Sequence, residues 1–341
     1  MKYSKAFALC LVAMAMASSV ANAQVKGVKE FRILESGGPS GDSIEQAYIK
    51  PFTAKTGIKV VRESPSGLGK LQAMVQSKNV SATLVELGST NVILARALGL
   101  LEPLDWAAIN PAPMYAEAKW PDAFGYQYYS TMMAWEKGAK KPATWADFWN
   151  VKDFPGKRAL PDYVSLALPI ALLADGVKPE NLYPLDVERG FASLQKIKPH
   201  VSVWWQSGAQ APQLLEDKEV KYAVAWSGRI IGNSKLEYTY NQALLQLSYF
   251  VVPKGADPAI KAAAAGLLQE MSQLKNQTIA SGIIPYTGPS PGIEATIPKE
   301  KVNDYPTSEA NKKVQVLTDA NWTADNAKQI EKRWQEFKLS L

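Results

Sequence analysis

One stretch of the chain restricts the possible fold more than any other. Tyr222–Trp226 is a five-residue apolar and aromatic run that is followed directly by Ser227, Gly228 and Arg229. An apolar run of this length between polar residues is typical of a buried strand in a parallel sheet. Ligands of open α/β sheets bind beyond the carboxyl ends of such strands. The stretch therefore predicts an α/β protein with Trp226, Ser227 and Arg229 as candidate ligand contacts; an ordinary strand end with a surface arginine is the alternative.

The amino terminus has the three parts of a secretory signal peptide. Lys2 and Lys5 form a short basic region, Ala6–Ala17 is apolar, and Ala21-Asn22-Ala23 matches an A-x-A cleavage site. The apolar part is too short to span a membrane. Cys10 lies inside it, without the small residues that precede a lipid-attachment cysteine. We expect cleavage after Ala23 and export as a soluble protein, with a lipoprotein as the minor alternative.

The remaining chain of about 318 residues has no cysteine, so its hydrophobic core must hold it together without disulfides. That length suffices for two lobes of ordinary size. Without Lys2 and Lys5 the chain has 36 basic and 32 acidic residues, a net charge of +4. The charges are scattered, whereas a nucleic-acid groove needs a basic stripe interleaved with aromatic residues. We therefore expect no nucleic-acid partner.

The first part of the mature chain predicts a βαβ unit. Phe31–Leu34 is a strand, a loop with Ser36, Gly37 and Gly38 follows, a helix runs from about Ser43 to Thr56, and Ile58–Val61 is the second strand. The loop would place free N–H groups at a helix N-terminus, where anions bind favourably. It has neither a G-x-G-x-x-G spacing nor a Walker lysine, so support for a nucleotide site is weak. A simple tight turn is the alternative.

Later segments continue the alternation of strands and helices. Leu84–Leu87 predicts a third strand, and the small residues Gly88, Ser89 and Thr90 lead from it into a helix over Val92–Leu98. Two long aromatic segments, near 126–135 and 244–253, predict extended strands that could carry the chain between two lobes. The other predicted elements are helices at Leu68–Lys78, Thr144–Trp149, Leu166–Asp175, Asp186–Ile197, Ala209–Glu216, Ala259–Lys275 and Asn326–Leu339, a strand at Val201–Trp205 and a rigid turn at Gly282–Pro289.

The order of six short motifs resembles that of the periplasmic solute-binding proteins of ABC importers, and of their spermidine/putrescine-binding group in particular. The motifs are PFTAKTGIKV, LLEPLD, TWADFWNVKDFPGKRAL, EVKYAVAWSGR, FVVPKGA and GIIPYTGPS. The resemblance implies a two-lobed α/β fold of the type II periplasmic-binding-protein class, with a ligand cleft between the lobes and hinge strands that cross between them. It also implies a periplasmic monomer that closes around one small solute and docks on a membrane permease.

The same resemblance implies a division of the chain into parts. Residues 1–23 are the signal peptide, residues 24–130 with about 250–300 form lobe 1, and residues from about 131 to 249 form lobe 2. Residues 301–341 form a C-terminal helical segment that packs across the lobes.

Most acidic positions of a polyamine site are not acidic in this chain. Trp226 keeps the tryptophan of that group's strand-end motif. The acidic pair of the group falls near Tyr163 and Leu166, and its later Trp and Asp fall near Gln246 and Ser248. Asp162, one residue from the expected position, is the single acidic residue close to these places.

The charge balance therefore favours a different solute. Burying an ammonium group without a carboxylate costs several kcal/mol, and a polyamine carries at least two such groups. Arginine pairs in a two-point manner with carboxylates. We therefore expect a small anionic or zwitterionic solute, such as an ω-amino acid, a hydroxy acid or an aromatic acid. The predicted ligand contacts are Ser36, Gly37, Gly38, Ser89, Thr90, Tyr128, Tyr163, Trp226, Ser227, Arg229, Ser248 and Tyr286.

Three other functions are compatible with the sequence. A putrescine or spermidine receptor is the first. A ferric-ion receptor is the second, since Tyr128 and Tyr129 are adjacent, although no His/Asp set with ligand spacing accompanies them. An exported hydrolase is the third, but any Ser-His-Asp or Cys-His arrangement would depend on His200, which is expected on a surface turn. We expect no catalytic residue, no metal and no cofactor.

Overall fold

Residues 27–339 are described in the structure, a computed structural model of the chain. The predicted signal peptide and its cleavage site lie outside the described residues. The strands are β1 (Glu30–Leu34), β2 (Lys59–Glu63), β3 (Leu84–Gly88), β4 (Leu101–Glu102), β5 (Lys119–Trp120), β6 (Ala123–Glu136), β7 (Arg158–Pro161), β8 (Val201–Trp205), β9 (Tyr222–Trp226), β10 (Leu236–Pro253) and β11 (Val316–Leu317).

The helices of the described range vary widely in length. They are α1 (Gly38–Ile44), α2 (Lys50–Thr56), α3 (Leu68–Gln76), α4 (Ser89–Ala97), α5 (Trp106–Ile109), α6 (Trp145–Trp149), α7 (Val164–Ala174), α8 (Val187–Ile197), α9 (Gln210–Glu216), α10 (Ser227–Ile230), α11 (Pro258–Ser272), α12 (Leu274–Ile283), α13 (Glu309–Lys312), α14 (Ala320–Asp325) and α15 (Ala327–Lys338). None of them combines the length and the apolar character that crossing a membrane requires.

The sheet consists of two parallel sections joined by an antiparallel pair. Its main strand order is β2-β1-β3-β10-β6-β9-β7-β8. The strands β2, β1 and β3 are parallel to one another, and so are β9, β7 and β8. Between these sections, β10 and β6 pair antiparallel with each other and with their outer neighbours. The expected parallel strand over Tyr222–Trp226 is confirmed residue for residue.

The central pair β6–β10 passes through the two largest hydrophobic cores of the described residues. Phe124 near the start of β6 belongs to the first core, and Trp135 near its end belongs to the second. On the returning strand β10, Leu244 packs in the second core and Phe250 in the first. We call the part of the chain packed on the first core lobe 1, and the part packed on the second core and on the smaller cluster around β9 lobe 2. Both aromatic segments therefore run from one lobe to the other, as the sequence predicted.

Two helices begin three or more residues earlier than the sequence predicted, and both begin beside strand ends. The first begins at Gly38 instead of Ser43, with Pro39 in its opening turn, where a missing N–H causes no loss. It continues through a π-helical turn into α2, which ends at Gly57 in the left-handed conformation. Similarly, α4 begins at Ser89 instead of Val92. The small polar residues predicted as loop thus form first helical turns.

The C-terminal segment contacts both lobes. β11 pairs in parallel with β10, and Trp334 and Phe337 of α15 lie in the core of lobe 2. Helix α14 packs against α4 of lobe 1. The segment therefore connects the two lobes and also adds a short strand to the crossing strand β10.

A buried arginine organises the start of lobe 2. Arg158 on β7 is wholly buried, and its Nε donates to the carbonyl of Phe148 at 3.2 Å. Its two Nη atoms donate to the carbonyls of Phe154 and Gly156. The guanidinium also lies 4.9 Å from the centre of the Tyr222 ring. Burial lowers the pKa of Arg158, and the hydrogen bonds to three carbonyls attach the turn after α6 to the sheet.

We expect Arg158→Met to lower the free energy of unfolding by about 3 kcal/mol or more, because three buried carbonyls lose their donor at roughly 1–3 kcal/mol each. Denaturant unfolding followed by tryptophan fluorescence measures the change. Arg189→Met is the matched control, because the exposed ion pair of Arg189 with Asp175 contributes only about 0–1 kcal/mol. Equal losses in the two variants would contradict the role given to Arg158.

Candidate functional site

The carboxyl ends of the two parallel sections meet beside the middle of β6. Gly88 at the end of β3 lies opposite Ser248 on β10, which lies opposite Gln127 on β6. Trp226 at the end of β9 lies opposite Thr131 of the same strand β6. The two ends are thus four residues apart along β6, or about 13 Å at roughly 3.3 Å per residue. The strand topology creates the place where loops of both lobes face each other.

A cavity of about 210 Å³ occupies this place. It is smaller than the roughly 300–1,000 Å³ of pockets that take drug-sized ligands, so it suits a small metabolite. Eight of the twelve predicted contacts line it: Ser36, Ser89, Thr90, Tyr163, Trp226, Arg229, Ser248 and Tyr286. They come from both lobes and from the crossing strands.

The other four predicted contacts do not line the cavity. Tyr128 points to the opposite face of β6, where its hydroxyl donates to Glu117 at 2.8 Å. Tyr129 lines the cavity in its place, because successive strand residues face opposite sides. Ser227 is wholly buried, and its Oγ accepts a hydrogen bond from the backbone N–H of Ser130. The remaining two, Gly37 and Gly38, lie against Arg229 instead.

Several lining residues were not predicted as contacts. Glu86 and Gln127 lie inside strands, where the sequence favoured core packing, although a glutamate within the apolar run Leu84–Leu87 was a visible signal. Gln246 was noted only as a replaced position. Thr318 and Thr323 come from the C-terminal segment, and no local pattern indicated that it reaches the cavity.

Arg229 reaches from lobe 2 to the glycine loop of lobe 1. Its Nη2 donates to the carbonyl of Gly37 at 2.8 Å. Gly38 has φ +58°, and a Cβ on it would lie 2.1 Å from Nη1, so only glycine fits beneath the guanidinium. Among residues 27–339 no carboxylate forms an ion pair with Arg229. Its charge is therefore available to a bound anion.

The N–H groups of the glycine loop already have acceptors. The N–H of Ser36 donates to Glu86 Oε2 at 2.7 Å, and the N–H of Gly37 donates to Glu35. This differs from the predicted free N–H groups: the anions at this helix start belong to the chain itself. Burial raises the pKa of both carboxyl groups, and Arg62 partly offsets the effect on Glu35.

Helix α4 presents a second helix start to the cavity. Gly88 precedes it, no side chain caps it, and its first turn contains no acidic residue. Ser89, Thr90 and Asn91 all line the cavity. This turn therefore offers hydroxyl groups and a favourable helix dipole to a negatively charged atom.

Aromatic rings form the apolar wall of the cavity. Trp226 stacks on Tyr163 with ring centres 6.3 Å apart and meets the edge of Tyr129 at the same distance. Tyr129 in turn packs 5.8 Å from Tyr286. Burial raises the pKa of the Tyr129 and Tyr286 hydroxyls, so both stay neutral and can donate hydrogen bonds near pH 7.

Gly208 leaves room for the Trp226 ring. It lies between β8 and α9, and a Cβ on it would be 2.4 Å from Trp226 Cε3 and 3.4 Å from Arg229 Nε. The first distance is far below any normal van der Waals contact. The absence of a side chain at 208 thus leaves the space that the Trp226 ring occupies beside Arg229.

Asp162, the acidic residue nearest to the expected polyamine positions, does not line the cavity. Its carboxylate accepts hydrogen bonds from Trp334 Nε1 and Gln206 Nε2, each at 2.9 Å, and forms an ion pair with Lys338 at 3.1 Å. It belongs to the attachment of α15 to lobe 2. Within the described range no three His, Cys, Asp or Glu side chains are placed to hold a metal ion.

Residues 47–310 match the family model described as bacterial extracellular solute-binding protein. The chain belongs to this family. Among similar solute-binding proteins, the γ-aminobutyric acid-binding protein of Pseudomonas aeruginosa is 35% identical over 319 residues, which cover 90% of each chain. The spermidine/putrescine-binding periplasmic protein 1 of Haemophilus influenzae is 23% identical over 321 residues, or 87% of this chain and 86% of that protein.

The fold agrees with that of solved family members. The crystal structure of an ABC transporter substrate-binding protein from Bradyrhizobium japonicum has a TM-score of 0.84 and 33% identity, covering 91% of this chain and 99% of its own. The expected family and the expected type II fold, with its cleft between two lobes, are thereby confirmed.

We expect Gly208→Ala to weaken solute binding by about 10- to 100-fold, because overpacking of this kind costs roughly 1–3 kcal/mol and pushes Trp226 into the cavity. The solute is one that raises the melting temperature of the wild-type protein. Its dissociation constant is measured by titration followed by tryptophan fluorescence. Gly69→Ala is the control, since a Cβ there meets nothing within 4 Å. Unchanged affinity in Gly208→Ala would show that Trp226 has no part in binding.

Proposed function

We propose that the protein is the receptor of an ABC importer for a small solute that carries a carboxylate, and that it delivers this solute to a membrane permease. Arg229 carries the proposal. It is the one cation that lines the cavity among the described residues, and it has no acidic partner there. Family membership supports the transport role, and the similarity to a protein named for γ-aminobutyric acid supports a carboxylate-bearing solute.

The geometry suits binding by closure of the lobes. Arg229 and Trp226 come from lobe 2, whereas Ser36, Ser89 and Thr90 come from lobe 1. A carboxylate on Arg229 can also face the uncapped first turn of α4. A solute that contacts both sides binds the closed form better than the open form, and it therefore shifts the population toward closure.

Several further parts of the proposal follow the family pattern. The protein acts in the periplasm as a monomer after cleavage behind Ala23, and it binds without catalysis and without nucleic acid. Lobe 1 comprises residues 24–130 and about 250–300, lobe 2 about 131–249, and residues 301–341 pack across both. The eight cavity-lining contacts predicted from the sequence, together with Tyr129, contact the solute.

A polyamine fits this cavity less well than a carboxylate. Glu86 is the one acidic residue among the cavity-lining residues of the described range, and Arg229 would repel a second ammonium group. An exported hydrolase has little support, because His200 lies in an exposed turn after α8 and does not line the cavity. Assays with esters and amides test for turnover.

We expect Arg229→Met to weaken binding of the carboxylate solute by about 30-fold or more, since removing one partner of a buried charge pair costs roughly 2–5 kcal/mol. Arg229→Lys should retain part of the affinity, because it keeps the charge but loses the two-point geometry. Calorimetry of purified protein gives the dissociation constants.

Arg32→Met is the control for a lost positive charge, because Arg32 pairs with Glu63 on the exposed surface. Tight binding of putrescine or spermidine by the wild type, together with no binding of carboxylates, would reject the proposal, and so would an unchanged carboxylate affinity in Arg229→Met.

A further inference from the structure

A second ionisable group in the cavity has no ion-pair partner within the part of the chain that the structure describes. Glu86 lies inside β3, is 5% exposed and lines the cavity. Its carboxylate accepts hydrogen bonds from the Ser36 N–H and the Tyr126 hydroxyl, each at 2.7 Å. Both donors are neutral. Within residues 27–339 no lysine, arginine or histidine forms an ion pair with Glu86.

The neighbouring carboxylate of Glu35, unlike that of Glu86, has an arginine beside it. Arg62 lies 3.5 Å from Glu35, and Glu35 does not line the cavity. Glu86 thus has one face held by protein donors and another turned to the cavity, without the cation that its neighbour has. An uncompensated buried carboxylate at a binding cavity indicates a functional role.

The surroundings fix the orientation of Glu86. A register shift between β10 and β6 leaves Tyr126 without a partner in the ladder, since Ser248 pairs with Gln127 and Tyr249 pairs with Gly125. Such a bulge re-aims side chains. Here it brings the Tyr126 hydroxyl to Glu86, and the Gln127 Nε2 donates to that hydroxyl at 2.7 Å.

The two groups that have no ion-pair partner among residues 27–339 line one cavity. Arg229 lies on lobe 2 and Glu86 on lobe 1, and the rings of Tyr129, Trp226 and Tyr286 line the same cavity. The Tyr286 hydroxyl is within electrostatic reach of both: burial raises its pKa, Arg229 lowers it and Glu86 raises it again. The cavity therefore combines an arginine, a glutamate and an aromatic wall.

We propose that Glu86 is the recognition site for a cationic amino group, so that the solute is an ω-amino acid with its carboxylate on Arg229, its ammonium on Glu86 and its methylene groups against the rings. This rests on the proposed function of the preceding subsection and narrows its solute class. A hydroxy acid or an aromatic acid would leave Glu86 without a partner, and a diamine would place an ammonium beside Arg229. The faces of Tyr129 and Tyr286 also favour a nearby ammonium.

The test compares ω-amino acids of three to six carbons with carboxylic acids in which a methyl group replaces the ammonium, by calorimetry on the full mature protein. We expect the best ω-amino acid to bind the wild type at least about 30-fold more tightly than its methyl counterpart. In Glu86→Gln this preference should fall to within about threefold, while the affinity for the plain carboxylic acid stays unchanged.

Glu117→Gln is the matched control, because Glu117 also accepts from a tyrosine hydroxyl but lies outside the cavity. It should keep the full preference. If Glu86→Gln does not fold, the wild-type affinities for the ω-amino acids and for their methyl counterparts still test whether the cavity recognises an ammonium group. Equal wild-type affinity for the two series, or an unchanged preference in Glu86→Gln, would overturn the assignment of Glu86.

The outcomes separate the two proposals. Carboxylic acids that bind through Arg229 without any gain from an ammonium would reject the role of Glu86 and leave the carboxylate receptor in place. Failure of every carboxylate, with or without an ammonium, would reject both.

Discussion

The antiparallel pairing of β6 with β10 is the constraint on which the rest of the structure depends. Parallel strands must be joined by crossover connections, which are usually helices. Here one parallel section ends beside β10 and the other ends beside β6. Because β3 beside β10 and β9 beside β6 run in opposite directions, their carboxyl ends must face each other near the middle of the β6–β10 pair. A cavity between the two sets of strand ends follows from connectivity before any individual side chain is considered.

The titratable side chains that line this cavity determine which solutes it can bind. Each lobe contributes one titratable group that has no ion-pair partner among residues 27–339, Glu86 from lobe 1 and Arg229 from lobe 2. Other buried charges in the described chain are compensated: Arg158 by three carbonyls and Glu35 by Arg62. The contrast matters because an uncompensated buried charge reduces stability, and it persists where a ligand completes it.

The sequence predicted strands better than it predicted helix starts. β8 and β9 have the predicted bounds, because β-branched and aromatic residues dominate both runs and polar residues flank them. The helices α1 and α4 begin three to five residues earlier than predicted, since Gly38, Ser89 and Thr90 have loop propensities that tertiary context overrides. The helix predicted to begin at Thr144 does begin there, because Thr144 and Asp147 form a capping box, a signal that is entirely local.

The site was predictable where a motif places a residue at a strand end, as for Trp226 and Arg229. Prediction failed where the orientation of a strand residue decided the outcome. Tyr128 and Tyr129 are neighbours with equal chemistry, and only the pairing register shows which of them faces the cavity. Glu86 was missed because a residue inside a strand is expected in the core, and Thr318 and Thr323 because their position depends on packing over a distance of about 200 residues.

Tyr129, Gln246 and Ser248 lie on the crossing strands and also line the cavity. The crossing strands β6 and β10 thus connect the lobes and also form part of the binding surface. A substitution at one of these positions would change both the bending of the crossing strands and the specificity for the solute. Relatives that bind a different solute should therefore also differ in how their lobes open.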